Sequence, residues 1–226
     1  MTPGSNGVSS NGCNAHAPTR TCAPDLGSRK VNRLERALGR IDADLRGLGR
    51  RWAVVGGIAV SVRARPRTTW DVDVAVVVAA DREAELVVRE LRDRGYRDRP
   101  DGPLLEQKDV GRLAAVRLLA PEEQDEGLGV DLLFASSGVE EEIVAGAEML
   151  ETFPGLFVPV VRLGHLLALK VLAGRPRDLE DCAALLEKTR TADLREAQDT
   201  LDLIERRGFH RGKDLLADFE RIRRAV

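Results

Sequence analysis

Apolar residues at Val31, Leu34, Leu38, Ile41, Leu45 and Leu48 recur at steps of three and four, the spacing of an amphipathic helix that ends near Gly47 or Gly49. Trp52-Ala-Val-Val55 follows as a short buried strand, broken by Gly56-Gly57. Ile58 to Ala64 reads as a short helix, stopped by Pro66. Between Asp71 and Ala80 the chain is apolar except for two aspartates, the pattern of a central strand covered on both faces. A helix from about Asp81 to Arg94 ends at Gly95. Leu113–Leu119 and Gly129–Phe134 then read as two more strands, with a connection at 121–127 between them. A glutamate run opens a helix over Glu140–Met149, and such a run reads as a solvated first turn favoured by the helix dipole. From Leu163 onward everything reads as helix: Leu163–Ala173, Leu179–Lys188, Leu194–Arg206 and Lys213–Arg224. The alternation of helices and strands predicts an α+β fold, a mixed sheet with flanking helices followed by a C-terminal helical part. Residues 1–28 lack periodic apolar positions and read as a flexible tail, 29–161 as the core and 162–226 as the helical part.

Composition narrows the class. Of 226 residues 43% are hydrophobic and 32% charged, which fits a globular chain and excludes a fully disordered one. No apolar run reaches membrane-spanning length and the first thirty residues carry no secretory h-region, so a cytoplasmic protein with no membrane contact is expected. The 35 basic and 37 acidic residues leave a net charge of −2, so any nucleic-acid contact must be local. Arginine outnumbers lysine 30 to 5, which makes Lys170, set among leucines, conspicuous. Three cysteines cannot form a disulfide framework, and Cys13, His16 and Cys22 lack a fourth zinc ligand and a scaffold. Cys182 needs no reactive role. Trp52 and Trp70 read as core residues rather than base-stacking platforms. The arginines of the last helices, interrupted by Asp214, Asp218 and Glu220, read first as a solvated face with ion pairs and second as an RNA-facing patch.

The chemistry concentrates in Gly56-Gly57 and in Arg67-Thr-Thr69-Trp-Asp71-Val-Asp73. On a strand, Asp71 and Asp73 face the same side with Cα atoms roughly 6.6 Å apart. Two carboxylates at that distance repel by about 2.5 kcal/mol at an effective dielectric near 20, a cost that a divalent cation removes. Oxygen-only ligands suit Mg²⁺ shared with phosphates, hence phosphoryl or nucleotidyl transfer. The diglycine between strand and helix lets backbone N–H groups approach a phosphate. Arg67 and Thr69 are expected to brace the aspartates or contact phosphate.

This combination resembles the nucleotidyltransferase superfamily related to DNA polymerase beta, and within it the branch of abortive-infection toxin nucleotidyltransferases (AbiEii-like). The resemblance covers residues 52–182. It implies a nucleotidyltransferase sheet and a third carboxylate on a later strand, a position that Asp131 in Gly129-Val-Asp-Leu-Leu-Phe134 matches. The branch carries a helical motif K-x-x-A-x-R-x-x-D-x-x-D, matched by Lys170, Ala173, Arg175, Asp178 and Asp181. Many relatives have Gly-Ser where this chain has Gly-Gly, so a serine hydroxyl is missing from the phosphate site.

The expected site is therefore catalytic and metal-binding at Asp71, Asp73 and Asp131, with two Mg²⁺ ions. Gly56, Gly57, Arg67, Thr69, Lys170, Arg175 and Asp178 are expected to bind the nucleotide phosphates. Lys170 either snorkels to the surface or points at an anion, and Asp178 and Asp181 either order that cluster or decorate a helix. His165 reads as a core or surface histidine. The expected reaction moves an NMP from an NTP to an acceptor hydroxyl and releases pyrophosphate. The resemblance implies an RNA acceptor such as a tRNA 3′ end and an antitoxin partner. An antibiotic nucleotidyltransferase of the aminoglycoside or lincosamide type is the alternative, and a non-catalytic nucleotide- or protein-binding domain the second; an acidic or a basic acceptor pocket separates the first two.

Overall fold

The computed structural model describes residues 32–100, 112–121 and 127–226. The expected tail at 1–28, with Cys13, His16 and Cys22, and most of the connection at 121–127 lie outside them. The described residues belong to one compact unit. They form eight helices and seven strands: α1 (Arg33–Gly47), β1 (Trp52–Val54), α2 (Gly56–Arg63), β2 (Asp71–Val76), α3 (Asp81–Asp93), β3 (Arg97–Asp98), β4 (Ala115–Leu119), β5 (Gly129–Leu133), α4 (Glu140–Ala145), β6 (Glu148–Phe153), β7 (Leu156–Val160), α5 (Leu163–Ala173), α6 (Pro176–Leu186), α7 (Thr191–Arg206) and α8 (Leu215–Ala225). All strands join one mixed sheet in the order β3-β4-β5-β2-β1-β7-β6. β2 pairs in parallel with β5 and β1 with β7; the remaining pairs are antiparallel.

The α+β architecture agrees with the expectation from the pattern. Asn32 opens α1 by accepting the Glu35 backbone N–H at 2.7 Å, and Ala37, Leu38, Ile41 and Leu45 bury its apolar stripe. Val72, Val74 and Val76 bury one face of β2, while Asp71 and Asp73 stand on the other. α5 is apolar nearly all round, so the core encloses it. Gly174 ends it in the left-handed region at φ 63°, and Pro176 takes the first position of α6 with its ring-fixed φ. The two helices are therefore folded back on one another.

The structure ends two expected elements well short and adds the strands β3, β6 and β7. The strand expected over 71–80 stops at Val76. The helix expected over 140–149 ends at Ala145, and a hairpin of β6 and β7 follows, turned at Pro154-Gly155 with Gly155 at φ 84°. β6 forms an edge of the sheet and shows no clean burial alternation, which is why the period-2 signal fails there. β3, two residues at the other edge, carries no pattern at all. Among the described residues no helix is long and apolar enough to cross a membrane.

Candidate active site

An open cleft of about 600 Å³ lies where β2, β4 and β5 meet α5 and α6. Its floor is acidic. In the β2/β5 ladder Asp73 is the Cα partner of Asp131, and Asp71 the partner of Gly129. Partners in a parallel ladder share a face, so the alternation that aligns Asp71 with Asp73 also aligns Asp131 with both. The three carboxylates line the one cleft.

Their charges are incompletely compensated. Burial and then Asp73 push the Asp131 carboxyl up to about 6, against the pull of Arg117. Its Oδ2 accepts from Arg117 Nε at 3.2 Å, but its Oδ1 is buried without a partner. Burial also raises Asp73 above the usual carboxylate range; Lys170 and the Gly57 N–H oppose the rise and Asp71 adds to it. Arg117 reaches Asp131 because the antiparallel β4/β5 ladder makes the two residues partners. One arginine in an apolar strand was the signal for it in the sequence.

The diglycine sits against this floor. Val55 N–H donates to the Asp73 carbonyl at 2.9 Å, which sets the start of α2 beside the aspartate. Gly57 N–H points at Asp73 Oδ2 at 3.4 Å. Gly56 has φ 61°, and a Cβ there would run into the Asp73 carboxylate. At Gly57 an added Cβ would lie 2.5 Å from Thr69 Oγ1 and 2.7 Å from Arg67 Nη2. Arg67 and Thr69 thus fill the space that a serine at position 57 would need, and a hydroxyl, that of Thr69, stands there already.

The roof is a second charged cluster, and it decides between the two readings of Lys170. Its side chain does not snorkel: the residue is 6% exposed, and Nζ donates to Asp178 Oδ1 at 3.0 Å and pairs with Asp181 Oδ2 at 2.8 Å. Arg67 Nε approaches Asp181 Oδ1 at 3.3 Å. Arg175 donates to Asp178 Oδ2 through Nε at 2.7 Å and through its backbone N–H at 3.2 Å, capping α6. Burial pulls the Asp178 carboxyl upward, yet Arg175 and Lys170 together outweigh it and hold it below the usual range. Asp178 and Asp181 therefore order Lys170, Arg175 and Arg67 rather than decorate a helix. Lys170 and Arg175 also line the cleft, and both act on the charge of Asp73.

The surroundings hold further differences from expectation. Glu140 is buried and lines the cleft, accepting from Ser137 Oγ at 2.9 Å and Ser137 N–H at 2.7 Å; of the glutamate run, Glu141 is the exposed one. Trp52 is 3% exposed and belongs to the core as expected, but Trp70 is 74% exposed at the cleft. His165 stays out of the cleft lining, half-buried, with Nε2 at 3.8 Å from Glu196. Three of the C-terminal arginines pair locally: Arg206 with Asp202, Arg221 with Asp218, Arg223 with Glu220. Arg207 reaches across to Glu142 at 2.6 Å, and Arg211 lines the cleft.

Among the described residues no group of three His, Cys, Asp or Glu side chains is placed so that together they could hold a metal ion. The donor set nevertheless fits Mg²⁺, which takes oxygen ligands, binds through one or two carboxylates and leaves the remaining positions to water and phosphate. The unpartnered Asp131 Oδ1 is the free acceptor that such an ion needs.

Comparison with known proteins places this arrangement. No curated protein sequence matches the chain. Solved structures similar to it include an antigenic nucleotidyltransferase-like protein from Paracoccidioides brasiliensis (18% identity, 80% of this chain and 88% of that one, TM-score 0.45). The lincosamide antibiotic adenylyltransferase LnuA with lincomycin bound is similar at 15% identity, over 70% of this chain and 100% of its own, with TM-score 0.46. The antibiotic-resistance factor ANT(2'')-Ia is similar at 16% identity, over 84% and 97%, with TM-score 0.45. Likenesses this distant carry no assignment. A family model does: that of the nucleotidyl transferase AbiEii toxin of type IV toxin–antitoxin systems matches residues 36–225, almost all of the described chain, including the acidic floor, the diglycine and the Lys170 cluster. The chain is a nucleotidyltransferase, and it belongs to the AbiEii toxin family.

Proposed function

We propose that the chain is the toxin of a toxin–antitoxin pair and that it transfers an NMP from an NTP to the 3′ hydroxyl of an RNA, such as a tRNA end, releasing pyrophosphate. The observation that carries the reading is the Asp73↔Asp131 register, which puts three carboxylates on one face of the sheet. Asp71, Asp73 and Asp131 would hold Mg²⁺, in two ions, which supplies charge neutralisation for the triphosphate and a lowered pKa for the acceptor hydroxyl. The start of α2, the Thr69 hydroxyl, Lys170 and Arg175 hold the triphosphate chain. Asp131 receives the hydroxyl proton as the new oxygen–phosphorus bond forms, and the bond to the β-phosphate breaks with its electron pair leaving on pyrophosphate. The residues contribute position and fixed charge rather than a covalent step.

The polarity of the rim favours RNA over a cationic antibiotic. Arg175, Arg177 and Arg211 are exposed around the cleft, and Arg117 stands beside Asp131. A polyanion is attracted to such a rim and an aminoglycoside repelled by it. Incubating the protein with each labelled NTP, Mg²⁺ and total RNA is expected to label an RNA species in a reaction that EDTA stops. Label entering a small antibiotic instead, or NTP binding without pyrophosphate release, would overturn the proposal.

A further inference from the structure

Trp70 has a place in the cleft that no step above uses. At 74% exposure it is the most exposed large apolar side chain among the described residues, in a chain with only one other tryptophan. Leu86, Met149, Phe157 and Leu179 are also exposed, but none of them borders the cleft. Trp70 does, one residue before Asp71.

Its backbone is fixed on both sides. The Thr68 carbonyl accepts from Arg177, the Arg67 N–H donates to Ser61 Oγ at 3.3 Å, and Asp71 enters the ladder with β5. An indole 74% exposed on a braced segment is an apolar surface open to a ligand. Arg175, with its side chain 72% exposed, and Arg177, which reaches the Thr68 carbonyl, line the same cleft. An exposed indole sharing a cleft with guanidinium groups is the chemistry that receives an unpaired nucleotide: the base stacks on the ring and the phosphate meets the guanidinium.

We propose that Trp70 is a stacking platform for an unpaired nucleobase at the mouth of the cleft, with Arg175 and Arg177 beside it for the attached phosphate. The inference rests on the proposed nucleotidyl transfer and deepens it by naming how a nucleotide is gripped. The base has two sources, the donor NTP and the single-stranded end of the acceptor, and both present the same face.

The test uses the fluorescence of the full chain, in which Trp52 is buried and Trp70 supplies the solvent-accessible signal. The protein with Mg²⁺ is titrated with each NTP, with inorganic tripolyphosphate and with a short unstructured oligoribonucleotide. Quenching by a base-bearing ligand and none by tripolyphosphate is expected. Measured by equilibrium dialysis, since both variants lack the reporting indole, Trp70→Ala should weaken binding of that ligand roughly 5- to 150-fold, the range for loss of one stacked base, while Trp70→Phe restores most of it and both variants keep the wild-type Tm. Quenching by NTP alone assigns the base to the donor; quenching by the oligoribonucleotide alone assigns it to the acceptor. Equal quenching by tripolyphosphate, or unchanged affinities in Trp70→Ala, would overturn the stacking role. If that variant is unchanged while the wild type still labels an acceptor, stacking falls and nucleotidyl transfer stands; a wild type that binds no NTP sinks both.

Discussion

Two acidic clusters face one another across the cleft, and they are compensated differently. Asp178 and Asp181 meet Lys170, Arg175 and Arg67, and the net effect on Asp178 is to favour its charge. Asp71, Asp73 and Asp131 meet one another, with Arg117 in direct contact with Asp131, and both Asp73 and Asp131 are pushed toward protonation. In the first cluster the chain's own cations outweigh burial at Asp178; in the second, the cations that reach Asp73 and Asp131 do not. An acid held charged by its own protein is architecture, and one driven toward neutrality in an open cleft marks where a ligand docks.

Substitutions should separate the two. The largest effect is expected at Asp73: changing it to Asn should lower transfer roughly a thousandfold, the several kcal/mol that metal-assisted charge stabilisation contributes, while Tm stays or rises because a repulsion is relieved. A fall in Tm alongside the activity would make the floor a structural cluster like the roof. Lys170→Met should instead cost about 3–5 kcal/mol of stability, because two buried carboxylates lose their shared cation; in a unit of this size that lowers Tm on the order of 10 °C. Calorimetry that finds Tm essentially unchanged would show the roof to be dispensable for folding.

Gly56→Ala probes the seam between them. The positive φ costs about 1–2 kcal/mol, and the added methyl displaces the Asp73 carboxylate, so kcat should fall further than stability alone explains. A variant with wild-type kcat would mean that the carboxylate can turn away without consequence. The smallest effect belongs to the exposed Arg207–Glu142 pair, which fixes the end of α7 to α4. Arg207 holds the Glu142 carboxyl below its ordinary value, so the pair stabilises above the usual glutamate range and its contribution disappears as pH falls through the depressed value. Arg207→Ala should therefore cost about 0.2–1 kcal/mol near neutral pH and nothing detectable in strong acid, as followed by urea titration at both pH values. An equal cost at both would assign the loss to packing.

What the sequence could reveal follows the same division. The common face of Asp71 and Asp73 follows from strand geometry alone, and the K-x-x-A-x-R-x-x-D-x-x-D spacing places Asp178 and Asp181 one helical turn apart. Neither pattern contains the α5–α6 fold-back at Gly174 and Pro176 that closes those aspartates on Lys170, so surface exposure of the amine remained open until the helices were placed. Arg117 is invisible as a partner of Asp131 for a related reason: ladder register is a property of two strands, and neither contains it alone. Trp70 misled because aromatic residues beside apolar strands are usually buried. The β6–β7 hairpin was missed although Pro154-Gly155 announces a turn, since its edge strand mixes Glu148, Met149 and Glu151 without alternation.

The charge of Lys170, acting on Asp73, ties the last third of the chain to the first. A fragment ending after β7 would retain all three carboxylates of the floor, the diglycine and Thr69, yet it would lose the ammonium that tempers Asp73 and the helix end that carries Arg175. The sheet thus supplies only the anionic half of the cleft, and its cationic half arrives with the C-terminal helices.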